Sequence, residues 1–106
     1  MRPYSRVYAT VNLDAVASNM KSMRDNLPAA TLIMGSVKAD GYGHGSVPVA
    51  KAIAPYVYGY AVATIDEGMI LRRHGIDKRI LILGVTHESR YEDLLRYDIR
   101  TAYVPV

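Results

Sequence analysis

The sequence predicts an α/β fold built on a parallel sheet. Three observations carry that prediction. Short apolar runs alternate with segments of helical periodicity along the 106 residues. The last four runs begin near residues 31, 57, 79 and 99, the even spacing of repeated β–α units. The runs are also continuously apolar, the mark of strands covered on both faces.

Residues 6–12 are rich in β-branched residues and Tyr and read as a strand. A helix follows to about Asn26, with Leu13, Val16, Ala17, Met20, Met23 and Leu27 spaced by three and four. Asn12 is its expected N-cap, and Pro28 closes the segment. Residues 31–37 are the second strand. Asp40 to Gly45 is glycine-rich and reads as a loop. Ser46 is expected to cap a helix over 47–54, with Pro48 tolerated in its first turn. Residues 57–63 are the third strand. Thr64-Ile65-Asp66-Glu67 is a capping box that opens a helix to His74, and Gly75 ends it. Residues 79–85 are the fourth strand. A helix over 88–97 places Tyr91, Leu94 and Leu95 on one side, and a fifth strand covers 99–104.

Composition removes several classes of function. There is no cysteine, so disulfides, thiolate–zinc sites and cysteine nucleophiles are excluded and a cytoplasmic setting is expected. Met1 is not followed by an apolar leader segment, and no run approaches the roughly 18 apolar residues of a membrane span. The net charge of +3 is spread along the chain; the only close basic group is Arg72, Arg73, Lys78 and Arg79. No nucleic-acid partner is expected from so loose a grouping. The three histidines lack metal-ligand spacing. His74 suits the negative end of a helix, and His87 reads as solvated. All nine aromatic residues are Tyr, so large core side chains must be aliphatic, Met or Tyr.

The chemistry concentrates at Lys38. Alternation along 31–37 puts Leu32, Met34, Ser36 and Lys38 on one face and Ile33, Gly35 and Val37 on the other. A lysine at the C-terminal end of an apolar strand stands where parallel α/β folds place their reactive groups. A dry surrounding lowers its pKa and makes the amine nucleophilic. Taken alone, the position also fits a lysine reaching out to solvent over its own apolar stem.

The stretch Val37-Lys38-Ala39-Asp40-Gly41-Tyr42-Gly43-His44-Gly45 resembles the cofactor-lysine motif of the alanine racemases. Val7 to Asn19, Tyr58 to Gly75 and Ile80 to Gly84 resemble the same family in the same order. Asp40-Gly41 stands where the family more often has Asn-Ala, and Tyr8 where Trp is common; these departures blur the substrate. The resemblance implies the first half of a (β/α)8 TIM-type barrel over residues 13–106. It assigns residues 1–12 to a strand of a separate β-rich domain. It implies pyridoxal 5'-phosphate as cofactor, bound through a Schiff base to Lys38, with Tyr42 on the cofactor phosphate. Lys38, once freed, then serves as one of two bases that interconvert L- and D-alanine, supplying D-alanine for the cell wall. His44 falls inside the motif but is expected to be structural, and Leu83 is as well explained as core as by the pocket.

In that family the second base is a tyrosine from the partner subunit of a homodimer, and none of the nine tyrosines here is assignable to it. A full barrel needs about 250 residues. The chain is therefore expected to be an N-terminal fragment that does not racemise efficiently alone. Three other readings stand beside it: a pyridoxal-phosphate carrier without racemase activity, a racemase for serine, lysine or several amino acids, and a small α/β module that binds no cofactor.

Overall fold

The computed structural model describes residues 13–37 and 45–102. The expected strand at 6–12, with the expected N-cap Asn12, and Lys38, Tyr42 and His44 lie outside them. In chain order the elements are α1 (Leu13–Asn26), β1 (Met34–Ser36), α2 (Ser46–Ile53), β2 (Gly59–Val62), α3 (Ile65–Arg73), β3 (Arg79–Ile82), α4 (Tyr91–Tyr97) and β4 (Arg100–Thr101). Two 3-10 turns, Ala54–Tyr56 and Glu88–Arg90, end α2 and open α4.

The four strands pair in chain order, β1-β2-β3-β4, and every pairing is parallel. Each crossover carries a helix, the βα arrangement of a parallel sheet. The ladders are shorter than the apolar runs. The run 31–37 contributes Met34–Ser36, and the run 79–85 contributes Arg79–Ile82. Single backbone bonds extend the pairing at either end. Tyr58 N–H donates to Ile33 O at 2.7 Å, and Val37 N–H to Ala61 O at 3.0 Å. The expected strand 99–104 is a two-residue ladder that reaches a bend at Ala102, and residues 103–106 fall outside the description.

Register sorts the side chains by face. Gly35, Tyr60 and Ile80 lie side by side across three strands, and Tyr60 and Ile80 are almost wholly buried beneath the helices. Ser36, Ala61, Leu81 and Arg100 form the neighbouring row on the opposite face. The core therefore sits on the helix side, around Ile53, Tyr60, Val62, Leu71, Ile80 and Ile82. Removing each such aliphatic side chain from water contributes about 1.5–3 kcal/mol.

Several expected local features hold. Thr64 and Glu67 form both halves of the capping box: Glu67 N–H donates to Thr64 Oγ1 and Thr64 N–H to Glu67 Oε1. Gly75 ends α3 at φ +87, a left-handed conformation that disfavours a side chain. Others are corrected. Ser46 does not cap α2; it is the buried first helical residue, and Gly45 holds the N-cap with no side chain to donate or accept. The helix expected over 88–97 begins as a 3-10 turn. Its N-cap is His87, whose Nδ1 accepts from Ser89 N–H at 3.1 Å. Leu95 is 84% exposed, because the α4 face that packs carries Leu94 and Tyr97 instead. In α1, Val16 and Met20 meet the core while Met23 is half exposed.

Candidate active site

The C-terminal edge of the sheet is where parallel α/β enzymes place their chemistry. Four features build it here. The pairing of β1 with β2 runs up to Val37, the residue before Lys38. Leu83 N–H donates to Val62 O at 2.9 Å and Ala102 N–H to Ile82 O at 2.8 Å, so β3 and β4 are carried up in the same way. The turn leaving β2 is fixed by Glu67, whose Oε1 accepts from Ala63 N–H at 2.7 Å as well as from Thr64. Beyond β3, Thr86 Oγ1 is buried with no hydrogen-bond partner among the described residues.

The face that carries Ser36 bears no helix of the described chain. Ala61 is small and sheltered there, between Ser36 on one strand and Leu81 on the other. Leu32 and Leu83 are more than half exposed. This surface offers apolar walls beside a small central residue, room for a flat ring rather than a filled layer.

Lys38 and Tyr42 flank this edge in the chain, but their placement lies outside the described residues. The polar groups around the rest of the sheet serve the scaffold. Asp66 and Glu67 belong to the start of α3: Asp66 pairs with Arg90 Nη2 at 2.9 Å, and Arg90 Nε reaches Asp93 at 2.9 Å. His74 Nδ1 lies 2.9 Å from Ile70 O at the end of α3. No group of three or more metal-ligating side chains occurs among the described residues. None of their helices is long and apolar enough to cross a membrane.

The basic group at 72–79 has other work. Arg72 donates to four backbone carbonyls, those of Ile76, Lys78, Tyr97 and Asp98, at 2.7–2.9 Å. Lys78 Nζ donates to Ala54 O and Val57 O. Arg73 and Arg79 lie over the rings of Tyr97 and Tyr58. A residue that periodicity alone left unremarked is Tyr60. It is wholly buried and its hydroxyl donates to Ala50 O of α2 at 2.5 Å. Burial pushes its phenol above the ordinary range, and the nearby Asp77 carboxylate adds to the shift.

A parallel β–α sheet with a lysine following its first described strand is the arrangement expected of the N-terminal part of a TIM-type barrel. Comparison with known proteins is more specific. The family described as alanine racemase, N-terminal domain, matches residues 11–103. An alanine racemase of Streptococcus pyogenes serotype M5 is 51% identical over 84 residues, which cover 79% of this chain and 23% of that protein. The crystal structure of alanine racemase from E. faecalis superposes with a TM-score of 0.80 at 36% identity, covering 86% of this chain and 25% of the other. That of Bacillus anthracis, solved with bound L-Ala-P, gives 0.80 at 35% identity over 88% and 24%. The chain belongs to the alanine racemase N-terminal domain family, a family of isomerases. It spans about a quarter of the length of these relatives.

Proposed function

We propose that this chain supplies the lysine-bearing half of a pyridoxal-phosphate-dependent alanine racemase site. The observation that carries the reading is the pairing of β1 up to Val37, at the edge of an uncovered, partly apolar sheet face. By strand alternation Lys38 belongs to the same sequence row as Ser36, whose neighbours on β2 and β3 are Ala61 and Leu81. The residues present fit the cofactor's ring: Ala61 is small, and Leu81 and Leu83 offer apolar walls on the same face.

When bound, pyridoxal phosphate withdraws the electrons left on the α-carbon of an amino acid once its proton is removed. Lys38 would hold that cofactor covalently through its amine, and an apolar surround would favour the neutral, nucleophilic form of the amine. Lys38 Nζ would also be the group that takes or returns the α-proton on its own side of the substrate. Tyr42 would donate its hydroxyl to the cofactor phosphate. The opposite proton belongs to a base from elsewhere in the whole protein, which works as a homodimer in this reading. Alanine is the substrate, and a cytoplasmic setting suits an enzyme that supplies D-alanine for the cell wall. Residues 13–106 form the barrel part, and residues 1–12 a strand of a neighbouring domain.

Borohydride reduction in the presence of pyridoxal phosphate, with the modified lysine mapped by mass spectrometry, tests this. Lys21 is paired with Asp25, which raises its pKa, and Lys78 holds two carbonyls; exposed Lys51 is therefore the strict control. Selective labelling of Lys38 is expected. Equal labelling of Lys38 and Lys51 would overturn the reading.

A further inference from the structure

The end of α2 is built in an unusual way, and the cause is Pro55. In a continuing α-helix the Ala54 N–H would reach Ala50 O and the next N–H would reach Lys51 O. Pro55 has no N–H to give. The Ala54 N–H turns to Lys51 O instead, the helix tightens into the 3-10 turn Ala54–Tyr56, and Ala50 O is left without its own helical donor. Ala50 is wholly buried, so water does not replace that donor. The Tyr60 hydroxyl does, from the middle of β2.

Two further contacts fix the same helix. Lys78 Nζ holds Ala54 O and Val57 O just beyond it. Gly35 on β1 lets Ile53 approach so closely that a Cβ there would stand 2.6 Å from Ile53 Cδ1. Helix α2 is thus tied to β1 by close packing and to β2 by one buried hydrogen bond. At its other end α2 begins at Ser46, directly after the glycine-rich stretch of Lys38 and Tyr42.

We infer that the Tyr60 hydroxyl is a positioning group for the cofactor site: by holding Ala50 O it sets where α2, the helix that directly follows the Lys38–Gly45 stretch in the chain, lies on the sheet. This rests on the reading of Lys38 given above. Tyr60 touches neither substrate nor cofactor and acts only through α2. An unpinned helix remains folded but no longer presents its N-terminal end at one fixed distance from Val37.

Three forms of the intact protein test this: wild type, Tyr60→Phe, and Tyr60→Phe combined with Pro55→Ala. The double variant returns an N–H to position 55. The helix can then bond Lys51 O and Ala50 O from within, without a tie to β2. The readouts are the dissociation constant of pyridoxal phosphate, the melting temperature, and amide hydrogen exchange over residues 46–54 and 65–73. Tyr60→Phe is expected to weaken cofactor binding about tenfold, to lower the melting temperature and to speed exchange over 46–54 but not 65–73. The double variant is expected to recover the melting temperature while cofactor binding stays weak. Recovery of both, or wild-type cofactor binding by Tyr60→Phe, would make the bond purely structural and overturn the inference. Should Tyr60→Phe not fold, the folded double variant decides by its cofactor affinity alone. If wild type itself shows no selective labelling of Lys38, the cofactor reading fails and this inference falls with it.

Discussion

Tyr60 shows what one buried hydroxyl does to the pH response of the fold. Burial raises its phenol above the ordinary value of about 10, with Asp77 contributing second. The folded chain therefore keeps the proton at a pH where the unfolded chain releases it. That contribution to stability is fully present below the unfolded value and is lost as pH rises through the folded one. Melting curves between about pH 8 and 11 should show a steeper alkaline decline for wild type than for Tyr60→Phe. Equal slopes would mean that the phenol ionises alike in both states. Lys38 stands out in the sequence because its neighbours at 37–45 form a rare combination, and its role remains a proposal. Tyr60 does not, because β-strand alternation names a face and leaves open which carbonyl waits on it. The available clue was Pro55: its missing N–H leaves the last turn of the preceding helix one donor short.

At the scale of elements, the legible parts are those written in local chemistry. The Thr64–Glu67 box and the Gly75 stop appear as read, since each needs only residues three or four positions apart. Thr64→Ala should cost about 1 kcal/mol, seen as a lowered denaturation midpoint with an unchanged denaturant slope. Ser46 misled because a serine before an apolar run fits a cap equally well one residue earlier, and burial draws it into the helix instead. Strand lengths were overestimated for a related reason. Apolar runs continue past the last ladder bond into the turns of the C-terminal edge, so composition cannot mark where pairing stops. Arg72 ties elements that no local pattern connects. It joins the end of α4 to the turn before β3 through four carbonyls. Arg72→Met should cost at least about 2 kcal/mol in chemical denaturation. Arg72→Lys should recover little of it, since one ammonium cannot span the guanidinium fork.

For the molecule as a whole, the two faces of the sheet have unequal histories of burial. The helix face closes over a continuous aliphatic core, whereas Leu32, Leu83 and Val85 stand 61%, 57% and 68% exposed. The β–α spacing made the parallel order legible, and family resemblance made the barrel legible. What no spacing reveals is how strongly one half of a barrel drives association when its inner face is open. Apolar side chains in water, and strands β1 and β4 that each have one partner among the described residues, both favour contact with another chain. A solution of the 106-residue chain should therefore sediment as oligomers whose population grows with concentration. Leu32→Lys combined with Val85→Lys should shift it toward monomer, because each ammonium must be desolvated before two inner faces meet. These sites lie away from Tyr60 and Arg72, so circular dichroism of the variant should match wild type. A wild-type chain that sediments as a monomer at every concentration would show that the inner face is satisfied within one chain.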